Sequence, residues 1–300
     1  MRIMKKMLMV LLAGIFCLSL AGCEPAFVGI ADREGNTVTI PTMIETIGSF
    51  GASNTEILTE LGLGDKIILA DTYSQGIEGL DGDVTYFDMY AADLELIIAM
   101  NPTVMFITGM GKMGGDDPFK ALADAGIVVI YIPASASIED IKKDIEFIAI
   151  ACGRMDRGRA IIAVMEQELE KISQKVKDLP KKTVYFELQP APDLYSFGSG
   201  VYLNEMIELA GGENILKNMD SWVSVSEEAV LAANPDVIMT NVNFMDDPKG
   251  EILQRPGWNS INAVKSGSVF VIDANASSQP CHNIIDALKE MAEAINPGLF

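Results

Sequence analysis

One short pattern occurs twice in the chain, and it restricts the possible folds more strongly than any other feature. ELIIAMNPTVMFIT begins at Glu95, and EAVLAANPDVIMTN begins at Glu228. Each copy has an acid at its start, an apolar segment, an Ala-x-Asn-Pro sequence and a second apolar run. A helix followed by a buried strand is half of a β-α-β unit, so the repeat predicts duplicated α/β structure.

The two copies carry local signals for a helix and then a strand. Asp93 and Ser226 can cap the helices, because their side chains accept hydrogen bonds from free backbone N–H groups. The Asn-Pro pairs at 101–102 and 234–235 end the helices, since a residue before proline avoids the helical conformation. The apolar runs that follow do not alternate with polar residues, which is typical of buried strands.

Comparable segments surround both copies. A weaker correspondence matches Glu56 and Gly62 with Glu205 and Gly211 at one constant spacing. Strands are predicted at KIILAD, IVVIYIP, KTVYFELQP and SVFVID, and helices at PFKALADAG and YLNEMIELAGG. The predicted fold class is therefore α/β, with two similar lobes.

A long helix is predicted between the lobes. Residues 154–179 are rich in helix-forming residues, contain no proline and are followed by Pro180. With a rise of 1.5 Å per residue, this helix is about 39 Å long, enough to run along both lobes. The chain then divides into an N-terminal lobe at 23–153, a linker helix at 154–179 and a C-terminal lobe at 180–300. So stiff a connection predicts that the two lobes close little toward each other.

The first 22 residues have the features of an export signal. MRIMKK supplies positive charges, an apolar run follows, and LAGC places small residues directly before Cys23. The apolar run is short for a membrane span. LAGC also resembles the lipobox of bacterial lipoproteins, in which the cysteine becomes the lipidated first residue. We therefore expect a lipoprotein signal peptide at 1–22 and an extracytoplasmic protein, anchored to the cell membrane through Cys23.

The charge of the chain limits its partners. Forty-two acidic residues against 22 basic ones give a net charge of -20. Such a surface repels phosphate backbones, so no nucleic acid is expected among the partners. Neutral, cationic or locally basic partners fit this charge better.

Few cysteines remain for the mature fold. Cys17 leaves with the signal peptide and Cys23 is expected to carry lipid, so Cys152 and Cys281 remain. An oxidising compartment would permit these two thiols to pair. Two cysteines far apart in sequence are nevertheless weak evidence for a bridge, and we expect no disulfide.

Several segments together indicate a family. DREGNTVTIP, SNTEILTELGLGDKIILAD, ADLELIIAMNPTVMFI, LNEMIELAGGENIL, VSEEAVLAANPDVIM, RPGWNSINAVKSGSVFVID and DALKEMAEAINPGLF follow one another along the mature chain. In this order they resemble the substrate-binding lipoproteins of ABC importers for iron-siderophores, haem and cobalamin. The resemblance implies two Rossmann-like lobes joined by one long α-helix, with a ligand cleft between the lobes. It also implies a protein without enzymatic activity or cofactor, whose ligand is a metal chelate.

An enzyme is the alternative interpretation, with the cleft between the lobes as its active site. GMGKMG, at residues 109–114, matches the G-x-G-x-x-G pattern of dinucleotide-binding sites after a predicted strand. The glycines do not open a helix directly, however, and no acid ends the next predicted strand. Hydrolytic triads are disfavoured because His282 is the only histidine and G-x-S-x-G is absent from the sequence. A lipid-anchored α/β enzyme remains the second hypothesis.

The resemblance implies which residues face the cleft. Aromatic rings and thioethers suit a large, flat, mostly apolar macrocycle or chelate. Any one of these side chains can instead pack in the core, and Trp258, in RPGW, is expected to be structural. The candidate ligand-binding residues are Tyr73, Phe87, Met89, Tyr90, Met110, Tyr195, Trp222 and His282.

His282 is the candidate ligand of the chelated metal. Neutral imidazole suits iron in haem and cobalt in a corrinoid. Relatives often have an arginine at the neighbouring position, where this chain has Asn283. A carboxylate-rich, anionic siderophore is therefore disfavoured. A lone histidine in a loop can also be a solvated or hydrogen-bonded residue with no ligand.

The repeated acids are the candidate docking residues. The resemblance implies that Glu95 and Glu228, one per lobe, bind arginine pockets of a two-fold ABC importer permease dimer. The alternative is a purely local role, because an acid in the first helical turn is favoured by the helix dipole. Glu56, in SNTE, can likewise be the acid of a capping box.

Overall fold

The computed structural model describes residues 27–33, 35, 37–80, 82–109 and 117–299. The predicted signal peptide, Cys23, Met110 and most of GMGKMG lie outside these ranges. Within the described ranges, no helix combines the length and apolar character needed to cross a membrane.

The N-terminal lobe is built on a parallel sheet of five strands, in the order β5-β4-β3-β6-β7. A separate antiparallel hairpin, β1 with β2, precedes this sheet. The strands are β1 (Phe27–Ala31), β2 (Thr37–Pro41), β3 (Ile47–Phe50), β4 (Ile67–Asp71), β5 (Thr85–Phe87), β6 (Val104–Thr108) and β7 (Val128–Ile132). The helices are α1 (Ala52–Glu60), α2 (Leu94–Met100), α3 (Lys120–Asp124) and α4 (Ile138–Ala151).

The C-terminal lobe follows the linker helix α5 (Met155–Val176) and has a parallel sheet of four strands. The strands are β8 (Lys182–Glu187), β9 (Tyr195–Phe197), β10 (Gly212–Asn214), β11 (Trp222–Ser224), β12 (Val237–Thr240) and β13 (Val269–Val271). The helices are α6 (Tyr202–Leu209), α7 (Glu227–Ala233), α8 (Pro248–Gln254), α9 (Asn262–Ser266), α10 (Ala274–Ser278) and α11 (Ile284–Ile295). The sheet order is β10-β8-β12-β13, and β9 pairs with β11 in a separate two-stranded antiparallel sheet.

The two sheets have the same topology, which confirms the predicted duplicated α/β fold. The order β4-β3-β6-β7 in the first lobe corresponds to β10-β8-β12-β13 in the second, and only β5 lacks a counterpart. The repeated sequence pattern forms α2 with β6, and α7 with β12. All strands within each of these two sheets are parallel, so their carboxyl ends meet at one edge of the sheet.

The helix ends of the repeat have the predicted local chemistry. The Asp93 side chain accepts a hydrogen bond from Leu96 N at 3.0 Å, and Ser226 accepts one from Ala229 N at 3.2 Å. Asn101 and Asn234 end the two helices in the left-handed conformation, with φ of 48° and 46°. Asparagine tolerates this region better than most residues, so the Asn-Pro pair stops each helix at one point.

The linker helix packs against both lobes. It covers 22 residues and ends three residues before the predicted boundary at Leu179. Ile161, Met165 and Ile172 are buried on its inner face. They belong to one hydrophobic cluster that includes Phe106 of the first sheet and Phe186 of the second. Because the two lobes share this core, a large change in the angle between them would expose apolar surface.

One alternative that the sequence leaves open is not observed. In SNTE, Glu56 can be the acid of a capping box. The structure begins α1 at Ala52, with Gly51 as the N-cap residue and no side-chain cap. Gly51 has φ of 104°, a conformation that favours glycine, so the chain turns sharply out of β3 and the helix starts early. Glu56 therefore lies in the second turn of α1 and is free for another role.

Candidate functional site

A cavity of about 470 Å³ lies between the two lobes. Its walls come from α1, from the segment after β4 and from the loop that joins α10 to α11. The lining residues are mostly polar: Glu56, Thr59, Glu60, Tyr73, Gln75, Gly76, Ile77, Glu78, Gly79, Asn275, Gln279, His282 and Asn283. The first nine belong to the N-terminal lobe and the last four to the C-terminal lobe, so neither lobe forms this cavity alone.

A buried aspartate fixes the N-terminal wall of the cavity. Asp71 ends β4, and its carboxylate accepts hydrogen bonds from Tyr73 N at 2.8 Å and from Gly51 N. The Ser74 hydroxyl donates to the same carboxylate at 3.3 Å. Burial raises the pKa of Asp71, while these three donors oppose that effect. The contacts hold the start of α1 and the Tyr73 turn together at the carboxyl edge of the sheet.

Tyr73 and His282 both line the cavity. The Tyr73 side chain is exposed, whereas His282 is largely buried beside the start of α11. His282 Nε2 lies 4.0 Å from a Glu60 carboxylate oxygen. His282 Nδ1 is buried and has no hydrogen-bond partner among the described residues. Burial lowers the pKa of His282, and the nearby Glu60 and Asp286 only partly offset it, so the ring is neutral at pH 7.

Glu56 is the most buried carboxyl group of the cavity wall. Burial raises the pKa of Glu56, the Asn283 side chain lowers it by hydrogen bonding, and Glu60 raises it by repulsion. Glu60 has a cationic neighbour, because Arg157 lies 3.6 Å from its carboxylate. Glu78 is exposed on the wall and has no ion pair within the described ranges. The cavity thus contains three acidic side chains, of which one is paired with an arginine.

The remaining predicted ligand-binding residues do not line this cavity. Tyr90, Tyr195 and Trp222 are exposed, and the last two lie on the two-stranded β9–β11 sheet. Phe87 and Met89 are each 7% exposed and pack in a core cluster with Phe50. These two side chains offer little free surface to a ligand. Ligand contact by all five residues stays a prediction, as does contact by Met110, which lies outside the described ranges.

Sequence reasoning missed the acids of the cavity wall. Glu60 lies in the segment SNTEILTELGLGDKIILAD, but neither Glu60 nor Glu78 was singled out, because they come together with the loop at 275–283 only through the tertiary fold. Glu56 did carry a signal, since it recurs as Glu205 in the second lobe. That correspondence identified the position but not its contact with the other lobe.

The two repeated acids occupy matching sites on the surface. Glu95 and Glu228 are exposed, and each is the second residue after the N-cap of its helix. Neither carboxylate forms an ion pair within the part of the chain that the structure describes. Neither is required as a cap, because Asp93 and Ser226 already serve that function. Both acids are therefore available to a partner.

The neighbour of Glu228 anchors its helix. The Glu227 carboxylate accepts a hydrogen bond from Trp258 Nε1 at 2.8 Å, and the Trp258 side chain is completely buried. The prediction that Trp258 is structural is thus confirmed. Burial of this indole and its bond to the first residue of α7 hold the helix against the lobe, with Glu228 pointing to the surface.

Comparison with known proteins gives a family match. The sequence matches the periplasmic binding protein family over residues 47–276. It is 31% identical over 282 residues to YvrC of Bacillus subtilis, an uncharacterized ABC transporter substrate-binding lipoprotein, covering 91% of this chain and 87% of that protein. It is 22% identical over 275 residues to a cobalamin-binding protein of Halobacterium salinarum, covering 88% of this chain and 73% of that protein.

Solved structures show the same fold. A possible iron-binding, periplasmic solute-binding protein from Staphylococcus epidermidis superimposes with a TM-score of 0.76 at 27% identity. The match covers 84% of this chain and 99% of that one. The resemblance drawn from the sequence motifs is confirmed by these similarities.

Proposed function

Because the chain belongs to the periplasmic binding protein family, we propose that it captures a metal chelate outside the cytoplasm and delivers it to an ABC importer. The observation that carries the proposal is the cavity of about 470 Å³ whose walls come from both lobes. Relatives named as cobalamin-binding and possible iron-binding proteins support a ferric siderophore, haem or cobalamin as cargo. The protein acts by binding, without enzymatic activity.

Anchoring is part of the same proposal. Cys23 follows LAGC at the end of the predicted signal peptide, and the related YvrC is named a lipoprotein. A lipid on Cys23 would keep the protein at the outer face of the cytoplasmic membrane or at another extracytoplasmic surface. Tethering raises the concentration of the binding protein near its importer, so that capture and delivery occur at one place.

His282 is the residue that we propose to contact the chelated metal. It lines the cavity, its imidazole is neutral at pH 7, and neutral imidazole is a common ligand of iron and cobalt. Tyr73 on the opposite wall offers an aromatic face to the same ligand. The metal belongs to the cargo, and no resident cofactor is proposed.

Delivery is assigned to the repeated acids. Glu95 and Glu228 occupy equivalent, exposed positions on α2 and α7, one in each lobe. Two matched acids on a pseudo-symmetric protein suit two arginine pockets on a permease dimer, because an isologous partner presents the same site twice. We propose that they bind the permease while the cavity holds the cargo.

A thermal-shift screen tests the function. The protein without residues 1–22 is heated with cyanocobalamin, haemin, ferric siderophores, simple oxyanions, NAD and sugars. A ligand that binds the folded protein raises Tm by mass action, by an amount that grows with ligand concentration. We expect stabilisation by at least one metal-bearing macrocycle or ferric chelate and none by NAD or sugars. Stabilisation by a sugar or a nucleotide alone would refute the proposal.

A further inference from the structure

The two lobes meet at two pseudo-equivalent junctions. Comparing them indicates which hydrogen-bond donor is missing at the cavity. Helices α1 and α6 correspond, since each lies between the central strand and the next strand of its sheet. Glu56 and Glu205 occupy the same position on them. Gly62 and Gly211 follow these helices at matching positions, both with positive φ, at 73° and 85°. Each acid faces the start of the last helix of the other lobe.

One junction is closed by a direct hydrogen bond. Glu205 accepts from the backbone N–H of Ile138, the first residue of α4, at 2.8 Å. The carboxylate therefore satisfies a backbone donor that a helix start leaves without an intrahelical partner. The other junction differs: Glu56 meets the side chain of Asn283, the N-cap residue of α11, and the space beside them widens into the cavity.

The junction at the cavity also differs from the closed one in the charge of the residues that line it. Its described members include the acids Glu56, Glu60 and Glu78, but no lysine or arginine. His282 is neutral at pH 7, and two cations, Arg157 beside Glu60 and Lys289 of α11, lie on the adjoining surface outside the lining. The other polar members are amides, hydroxyls and backbone groups of glycines. An anion in this cavity would meet two unpaired carboxylates and no cation that lines the wall.

We infer that the cavity selects its cargo by charge: it takes a neutral or positively charged chelate through N–H or O–H donors and rejects anionic chelates. The inference rests on the proposed function and narrows its cargo. Glu56 is the acid to which such a donor would bind, because its counterpart Glu205 already holds an N–H group. Haem, with two propionates, and ferric complexes of polycarboxylates fall in the rejected class. Corrinoids with amide side chains and cationic ferric hydroxamates fall in the accepted class.

Two series of probes separate charge from shape. The first is ferrioxamine B, which carries a free ammonium group, its uncharged N-acetyl derivative and its anionic N-succinyl derivative. The second is cyanocobalamin, its monocarboxylic acid and the aminoethyl amide of that acid. Affinities are measured by calorimetry with the protein lacking residues 1–22. In the series that binds, we expect affinity to fall about fivefold for each unit of negative charge added at low salt. High salt should reduce the differences in affinity between the members of a series.

Two pairs of substitutions assign the effect to the cavity. The double variant Glu56→Gln, Glu78→Gln removes two charges from the wall and should reduce the charge dependence to less than twofold. The control Glu45→Gln, Glu146→Gln removes the same number of charges from exposed positions outside the cavity. The control should keep the fivefold steps, because solvent screens charges that lie far from the ligand.

The outcomes separate this inference from the proposed function. The inference is supported if affinity falls as negative charge is added to the ligand, and if this dependence is lost in the cavity variant and kept in the control. Equal or tighter binding of the anionic members, or binding of haemin or a ferric polycarboxylate while both series fail, overturns it and leaves the function standing. If no metal chelate of any charge binds, both are wrong.

Discussion

The guanidinium of Arg255 donates two hydrogen bonds to the carboxylate of Glu187, at 2.6 and 2.7 Å, inside the C-terminal lobe. Both side chains are almost completely buried. Arg255 also pairs with Glu251 and lies 4.4 Å from the ring of Trp258, whose indole N–H holds Glu227 on α7. The end of β8 is thereby connected to the helix that carries Glu228.

Arg255→Ala should destabilise the protein strongly. The substitution leaves the Glu187 carboxyl group buried without its cation, which typically costs about 3 to 5 kcal/mol. Lys120→Ala is the matched control, because Lys120 pairs with Asp124 on an exposed surface, where a salt bridge is worth about 1 kcal/mol or less. Urea unfolding measures both free energies. Similar losses in the two variants would show that the buried pair is not a major source of stability.

Glu205→Ala should loosen the contact between the lobes. It removes the acceptor for the N–H group of Ile138 and should lower the free energy of unfolding by about 1 kcal/mol. Glu205→Gln should retain most of the stability, since its amide oxygen can still accept this bond. Glu146→Ala, at an exposed position of α4, serves as the control for the loss of one charge. Equal stability of the Ala and Gln variants would contradict the assigned contact.

Stability should decrease between pH 7.5 and pH 5.5 because of His282. Its folded pKa is lowered by burial, so the unfolded chain, with an ordinary pKa near 6.5, binds the proton more readily. Stability is therefore fully present above pH 6.5 and falls as the pH decreases, by at most about 1.4 kcal/mol per pH unit. Glu56, whose pKa is raised, acts in the opposite direction in more acidic solution.

His282→Asn should flatten this pH dependence, because the chain has only one histidine. The measurement is urea unfolding at pH 5.5, 6.5 and 7.5 for wild type and variant. We expect the wild type to lose more stability on acidification than the variant does. Parallel curves for the two proteins would mean that burial does not disfavour the protonated ring.

Aquocobalamin should report metal contact by His282. Displacement of the water ligand on cobalt by imidazole shifts the absorption spectrum, and cyanocobalamin, whose cyanide is held tightly, gives the matched control. We expect a shift with wild type and none with His282→Ala, while calorimetry follows binding itself. No shift in the wild type, or the same shift in the variant, would exclude the imidazole as a metal ligand.

The elements of the fold were predictable wherever the signal is local. Asp93, Ser226 and the Asn-Pro pairs act on their own helices, so the repeat gave both helix ends and the strands after them. The long helix was predictable for the same reason, apart from its last turn. The start of α1 carried no such local signal, because the turn at Gly51 depends on Asp71 from another strand.

The site was less predictable, because its contacts join residues far apart in the chain. Tyr73 and His282, both predicted for the ligand cleft, line one cavity, and their contact with a ligand stays a prediction, whereas the acids of this cavity were not foreseen. Phe87 ends the edge strand β5, and Tyr90 lies three residues after it. One is buried and the other exposed, and only packing against Phe50 distinguishes them.

The central claim, that the protein delivers a captured chelate to an importer, is tested most directly by uptake. Cells carrying Glu95→Arg with Glu228→Arg are compared with wild type and with the control Glu45→Arg, Glu146→Arg, using a labelled chelate that the purified protein binds. Docking acids act on association with the permease, whereas capping acids act on folding. We predict that the docking variant keeps its ligand affinity and Tm but abolishes uptake, while the control transports normally. Uptake at the wild-type rate by the docking variant, or unfolding of that variant, would contradict the account.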